Sequence, residues 1–416
     1  MNQSVLRLAG MVLADVLSNT GPADAKLGSF FRQHRELGNK ERGWIAESVY
    51  GVLRRKSFLT YVAASEDPRR LLVAWLVRIQ GSSLRELDEL LNKQQKEWAQ
   101  AIKAKPTEDL SLAVQADLPE WLWQRLSAQY GEEDALAIAR SMHKAASLDL
   151  RVNLIKSNRD EVLARFASEK AAAEATPYAP TGIRLPQRMS INRHPFFTDG
   201  KIEVQDEGSQ LLALLVAPRR GEMIADFCAG AGGKSLALGA LMRNTGRLYA
   251  FDVSEKRLHN LGQRLKRSGL SNLHSQVISS ENDSKLKRLN GKFDRVLVDA
   301  PCSGLGTLRR NPDLKWKQTA EDVAELTAKQ GAILARAARL VKAGGKLVYA
   351  TCSLLAEENE QLVEAFLAAH PQFKLLNAGE ILAQQQVKLD TGHYLKLLPN
   401  KHETDGFFAA VFELTT

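Results

Sequence analysis

Apolar positions recur at helical spacing through the first hundred residues. Val5, Leu8, Val12 and Val16 share one face, as do Ile45, Val49, Val52 and Leu53. Leu84, Leu87, Leu90 and Leu91 predict a further helix. Strand signals are few, so residues 1–105 are expected to form a small helical bundle. A polar stretch after Pro106 reads as a linker, and "LPEWLWQRLSAQYG" then predicts a helix that Gly131 ends. "LDLRVNLIK" alternates as a strand does, a helix follows to about Lys170, and "GIRLP" predicts another strand. "EKAAAEA" is a short helix-favouring run. Together these predict a small α/β domain over 106–195.

From about residue 200 the pattern changes. The short apolar runs "EMIADF", "RLYAFD", "FDRVLVDA" and "GKLVYATCS" predict strands. Amphipathic stretches near 233–243, 254–268 and 320–342 predict helices between them. "ETDGFFAAVFEL" reads as a turn at Asp405-Gly406 and a final strand. Alternation of this kind implies an α/β domain over 196–416, with a mostly parallel sheet covered on both faces. In such sheets the ligand lies beyond the carboxyl ends of the strands.

Composition narrows the classes. Hydrophobic content is 44% and charged content 25%, as in a soluble globular chain. No apolar run approaches the roughly 20 residues needed to cross a bilayer. The three cysteines supply no disulfide framework, so a reducing cytoplasm is expected. The net charge of +9 favours a polyanionic partner, nucleic acid before membrane. The eight histidines show no metal-ligand spacing, and no metal is expected.

The first strand of the sheet runs into "ADFCAGAGGKS", Ala225–Ser235. Its glycines permit a tight turn and close backbone approach to a ligand. A phosphate-binding P-loop would need glycine at position 228, which is Cys. A dinucleotide fingerprint counted from Gly230 would need glycine at 235, which is Ser. S-adenosylmethionine has no pyrophosphate and requires neither. It requires an acid for its ribose hydroxyls at the end of the second strand, where Asp252 stands.

Cys302 follows "VLVDAP" and Cys352 follows "KLVYAT", both just beyond predicted strands at the ligand edge. A single strand-end cysteine is ordinarily a small buried hydrophobe. Two at this edge, one beside Asp299, have a chemical use. Carbon 5 of a pyrimidine is a poor nucleophile. A thiolate adding at carbon 6 makes carbon 5 enamine-like and able to accept a methyl group. The carbon 5 proton then leaves and the thiolate is eliminated. Two thiols could divide attack and release, and Asp299 could hold the base through its ring nitrogen and amino edge.

"DFCAGAGGK", "FDRVLVDAPCSGLGTLRRNPDLKW" and "LVYATCSLLAEENE" resemble the motifs of the RNA 5-methylcytosine methyltransferases of the Nop/Sun family. Within it they are most similar to the bacterial 16S rRNA methyltransferase B group, also called Sun or Fmu. The likeness covers about residues 145–416, and the first hundred residues resemble, more weakly, a NusB-like helical domain. The resemblance implies a Rossmann-like methyltransferase sheet. It implies that Cys352 attacks the base and that Cys302 helps release the product. It places the cofactor against Cys228, Ala229, Gly230, Ala231, Gly232, Gly233 and Lys234, and against Asp252 and Asp299. Lys234 is further expected to point toward the chemistry. Two positions depart from the pattern. Ala231 stands where the family carries proline, and "VISSENDSK" offers Ser280, Glu281, Asn282 or Asp283 where an acid near the adenine is usual.

Substrate binding is expected at "GTLRRNPDLKW", where Arg309 and Arg310 would meet phosphates and Trp316 would stack on a base. Lys256, Arg257, Arg264, Lys266 and Arg267 form a second basic group on one helix. The expected partner is RNA, ribosomal first and transfer RNA second, with the protein a monomer. A catalytically silent RNA-binding or ribosome-assembly factor is the reading from outside enzymology.

Overall fold

The computed structural model describes residues 2–18, 21–185 and 189–415. Pro186, at the end of the expected strand "GIRLP", lies outside the described residues. The chain divides into two compact units. The first comprises Met1–Ala145 together with Thr307–Ala320, and the second Ala146–Gly306 with Glu321–Thr416.

The first unit is helical among its described residues. Helices Gln3–Ser18, Asn39–Arg54, Lys56–Ala63 and Pro68–Arg78 bury Leu13, Ile45, Leu53, Leu59, Leu71 and Leu72 completely. Each such side chain contributes roughly 1.5–3 kcal/mol of transfer free energy. Helices Leu112–Ala116, Glu120–Tyr130 and Glu132–Ser141 belong to this same unit, which ends at Ala145. The helix expected over Leu84–Leu91 is a run of turns instead. Its Ser83 and Glu86 cap each other reciprocally, and the backbone bonds alternate between three- and four-residue spans, as at Asp88 N–H to Arg85 O and Leu91 N–H to Leu87 O. Leu87, Leu90 and Leu91 are nevertheless buried as their spacing implied.

The segment Thr307–Ala320 is held within this first unit by the end of the helix Asn39–Arg54. A helix leaves its last carbonyls without intrahelical partners. Here the Trp316 indole N–H donates to Leu53 O at 2.7 Å and the Lys315 ammonium to Arg54 O at 2.9 Å. The Arg54 guanidinium donates to Arg309 O at 3.1 Å, and Asp313 accepts from the Ala23 N–H at 3.1 Å.

The second unit holds two sheets. The smaller comprises β1 (Leu148–Val152), β2 (Glu174–Ala175), β3 (Gly182–Leu185) and β4 (Ile202–Val204), in the order β2-β3-β1-β4. All its pairings are antiparallel, and it closes a separate core around Phe166, Leu150 and Ile183 with the helix Arg159–Ser168. "EKAAAEA" is not helical. Lys170 adopts a left-handed conformation (φ 57°), and the Ala171 N–H closes onto Phe166 O, which ends the helix there.

The larger sheet comprises β5 (Met223–Asp226), β6 (Arg247–Asp252), β7 (Leu273–Val277), β8 (Phe293–Asp299), β9 (Val341–Thr351), β10 (Phe373–Leu376), β11 (Leu395–Leu397) and β12 (Phe407–Leu414). Its order is β10-β12-β9-β8-β5-β6-β7, with β11 paired to β12. The five strands from β9 to β7 along that order are mutually parallel, and β12 lies antiparallel to β9 and β10. This is the expected Rossmann-like α/β sheet. Chain order reverses beside β5, so β5 and β8 frame the switch point at which such sheets bind ligands. The helix expected to reach residue 342 stops at Ala338, because Val341 already pairs with Phe293 at the start of β9. No helix among the described residues is long and apolar enough to cross a membrane.

Candidate active site

Five loops of the second unit meet at the carboxyl ends of β5, β6, β8, β9 and the start of β12. The first is the glycine loop. Its backbone is tied to both neighbouring strands, by Phe227 N–H to Leu297 O at 2.8 Å and Ala229 N–H to Phe251 O at 2.9 Å. Asp252, at the end of β6, accepts from the Gly230 N–H at 2.8 Å and the Ser254 N–H at 2.7 Å. Gly230 has φ 55°, and a Cβ there would meet no atom within 4 Å, so this backbone is open to an approaching ligand. Gly232 is required for a different reason. Its φ is 80°, and a Cβ would lie 2.1 Å from Leu261 Cδ1 of the helix Glu255–Ser268.

Two arginines brace the carbonyls of the same loop. Arg151 donates to Gly233 O at 2.7 Å and Arg264 to Ala231 O at 2.7 Å. Arg264 and Arg267 also pair with Glu203, at 2.9 and 2.5 Å. These two members of the second basic cluster are therefore engaged in supporting the loop, whereas Lys256, Arg257 and Lys266 are exposed.

Three acids, Asp226, Asp252 and Asp299, end the neighbouring strands β5, β6 and β8. Asp226 closes β5, and its Oδ2 accepts from Ser235 Oγ at 2.6 Å while Oδ1 has no partner. Burial pushes its carboxyl up to about 7, opposed by the Ser235 bond. Asp299 closes β8 and pairs with the Lys234 ammonium at 2.6 Å. Burial alone would lower the Lys234 pKa. The charges of Asp299, Cys352 and Asp226 and the Asp299 hydrogen bond outweigh it and raise it, so the ammonium stays protonated. The ammonium also lies 5.8 Å from the centroid of Phe407, at the start of β12.

The two cysteines come together. Cys302 Sγ lies 3.3 Å from Cys352 Sγ, and both are partly exposed. The sheet register explains why: Asp299 is paired with Ala350, so the residues just past each strand emerge side by side. The side-chain hydrogen bond shared with Cys352, burial, and the charges of Cys352 and Glu358 push the Cys302 thiol well above its usual range. The turn after Cys302 is threaded through its neighbours. Gly306 N–H donates to Cys352 O at 2.8 Å, and Gly406 N–H donates to Gly306 O at 2.8 Å. Cys228 is partly exposed like the other two, and desolvation raises its thiol far above the ordinary range.

The expected sites therefore fall into two sets. Cys228 to Lys234, Asp252, Asp299, Cys302 and Cys352 share one strand edge. Arg309, Arg310 and Trp316 belong to the helical unit, where Arg309 is 8% exposed and Trp316 packs on that unit's core. In the "VISSENDSK" stretch, Asp283 turns back to accept from the Ser279 and Lys285 N–H groups at 2.8 and 2.9 Å. The backbone bond from Ser279 leads the effects that lower its carboxyl pKa. Two acids escaped the sequence reading. Asp226 carried the same signal as Asp252 and Asp299, an acid at a strand end. Glu358 carried none, standing among Glu357 and Glu360 in "LLAEENE".

Comparison with known proteins decides the family. The family described as 16S rRNA methyltransferase RsmB/F matches residues 213–413, and a ferredoxin-like domain of RsmF/B-like methyltransferases matches 118–192. The probable ribosomal RNA small subunit methyltransferase B of Bacillus subtilis is 30% identical, over 97% of each chain. The chain belongs to the RsmB/F methyltransferase family. Among solved structures, PH0851 superposes with a TM-score of 0.83 at 25% identity over 99% of each chain. A methyltransferase homolog from Pyrococcus horikoshii superposes with a TM-score of 0.62 at 31% identity, covering 73% of this chain and 97% of its own. As an RsmB/F member the protein is an RNA methyltransferase, and S-adenosylmethionine is its methyl donor. The strand edge fits that cofactor. Each Asp252 oxygen keeps a second lone pair for a ribose hydroxyl, and the open backbone at Gly230 borders it.

Proposed function

We propose that this RsmB/F protein methylates carbon 5 of a cytosine in small-subunit ribosomal RNA, through a covalent bond from Cys352 to carbon 6 of the base. The observation that carries this reading is the 3.3 Å approach of two strand-end thiols beside the Lys234–Asp299 pair. A single nucleophile would not need a second thiol at contact distance. The ribosomal substrate rests on the name of the Bacillus subtilis relative.

S-adenosylmethionine supplies a methyl group activated by its positive sulfur. Cys228 to Lys234, Asp252 and Asp299 would hold it. The protein's own residues do the rest. Lys234 remains cationic, and Cys352 acts as the nucleophile in its thiolate form. That thiolate forms a bond to carbon 6, and the ring electrons shift to carbon 5, which accepts the methyl group. Asp299 accepts a hydrogen bond from the amino edge of the base and keeps it in register. The carbon 5 proton then passes to water, and the electron pair it leaves restores the double bond as the Cys352–carbon 6 bond breaks and Cys352 departs as the thiolate. Cys302, held as the neutral thiol, stands against Cys352 and assists that departure. The target base must leave its stack for a thiol to reach carbon 6. Arg310 and the exposed Lys256, Arg257 and Lys266 are assigned to phosphates. Arg309 and Trp316 sit inside the helical unit in a way that favours packing over RNA contact.

The test is methylation of protein-free 16S rRNA by purified protein, followed by digestion to nucleosides and mass spectrometry. The expected product is 5-methylcytidine. A different methylated nucleoside as the sole product would overturn the reading.

A further inference from the structure

Behind the two thiols lies a buried carboxylate that the mechanism above does not use. Glu358 is fully buried, at the end of the short turn Ala356–Glu358. Its Oε1 accepts from the Ser303 N–H at 2.8 Å and from Gln330 Nε2 at 2.9 Å. Its Oε2 accepts from Ser303 Oγ at 2.5 Å and from the Ser353 hydroxyl. A carboxylate has about four lone-pair sites, and all are filled. Ser303 follows Cys302 directly and Ser353 follows Cys352 directly. The two hydroxyls also lie 3.1 Å apart.

The arrangement is supported from behind. Gln330 donates to Pro301 O at 2.9 Å as well, so it grips the residue on the other side of Cys302. The buried Tyr349 hydroxyl donates to Glu358 O at 2.7 Å and fixes the backbone that carries the carboxylate. Next to it Asn359 accepts from Thr351 Oγ1 at 2.6 Å and donates to Ser353 O at 3.1 Å. Burying a charge is expensive unless it is fully hydrogen-bonded. Charge-assisted bonds of this kind are also the stronger and more directional ones. The site spends that cost at the one point where both cysteine loops can be gripped together.

We propose that Glu358 is the positioning residue that yokes the loops of Cys302 and Cys352, so that both thiols meet at one base. It touches neither substrate nor cofactor. It acts through Ser303 and Ser353. Its charge also lies on the Cys302 side, where it favours the neutral thiol that release requires. This role rests on the two-cysteine mechanism proposed above, but thiol proximity can be measured without any methylation.

The experiment compares the wild-type protein with Glu358→Ala and Glu358→Gln in two readouts. The first is the rate of Cys302–Cys352 disulfide formation with diamide. Two S–H bonds break, one S–S bond forms, and the azo reagent is reduced to the hydrazine. The second is kcat and KM for methylation. Glu358→Ala is expected to slow cross-linking about tenfold or more and to lower kcat about 100-fold, with the KM for S-adenosylmethionine unchanged. Glu358→Gln keeps an acceptor for Ser303 and Gln330 and can donate to the hydroxyls, so it restores cross-linking and most of kcat. Wild-type cross-linking and wild-type kcat in Glu358→Ala would overturn the proposal. If Glu358→Ala does not fold, the Ser303→Ala/Ser353→Ala double variant decides by the same two readouts. Slowed cross-linking in a protein whose wild type makes no 5-methylcytidine would leave the yoke standing and remove the reaction.

Discussion

A thiol that attacks and a thiol that releases give opposite phenotypes when removed. Cys352→Ala is expected to make no methylated base and no covalent complex. Cys302→Ala is expected to accumulate a protein–RNA adduct, seen as a slower band that ribonuclease treatment removes. An adduct in Cys352→Ala would contradict the assignment. Asp226 offers a prediction in pH. Burial raises its carboxyl to about 7 from the usual 3.8. Between those values the native protein holds a proton that the unfolded chain has released. Stability contributed by the neutral carboxyl is therefore complete below 3.8 and is lost as pH rises toward about 7. Relative to Asp226→Asn, wild-type denaturation midpoints should fall over that window and level off above it. At this scale the reading from sequence went as far as local context allows. Cys302, Cys352, Asp252 and Asp299 were visible because each follows a recognisable strand. Glu358 was not, because its partners are brought to it from three separate segments by the fold.

Strand ends organise the site because parallel pairing brings the residues past β8 and β9 out side by side. The glycine loop is an element of the same kind, fitted between β5 and a helix. Gly232→Ala would need a left-handed backbone and would drive a Cβ into Leu261. Overpacking of this sort costs roughly 1–3 kcal/mol. The variant should bind S-adenosylmethionine more weakly by calorimetry and melt earlier. Unchanged affinity would mean that the loop's path does not depend on this contact. Periodicity located β5, β6, β8 and β9 correctly, since each is an apolar run bounded by turn residues. It failed where local capping overrode it. The Leu84–Leu91 stretch presents leucines at helical spacing, yet Ser83 and Glu86 set up a turn. "EKAAAEA" favours helix in isolation, but the left-handed Lys170 ends the preceding helix.

The molecule joins a helical unit to a unit carrying the sheet, and the short segment Thr307–Ala320 belongs to the first although the sheet's chain flanks it on both sides. No local pattern announces that exchange. The basic and aromatic residues of "GTLRRNPDLKW" read as an RNA surface, and nothing local sets that reading apart from a packing segment. Only the contacts of Trp316 with Leu53, and of Lys315 with Arg54, separate the two. Trp316→Phe keeps an aromatic ring and removes the bond to Leu53. It is expected to lower the melting midpoint while leaving the KM for RNA unchanged, and a raised KM with unchanged melting would return Trp316 to the substrate. The net charge of +9 was legible from composition and suits an RNA substrate, though it names no nucleotide. The central claim is that Cys352 bonds to carbon 6 of a ribosomal cytosine while carbon 5 takes the methyl group. Its most direct test is bisulfite sequencing of 16S rRNA from cells lacking this gene, complemented with wild type or with Cys352→Ala. The account predicts one cytosine protected from conversion by the wild type and converted with Cys352→Ala. Protection of that cytosine by both proteins would contradict it.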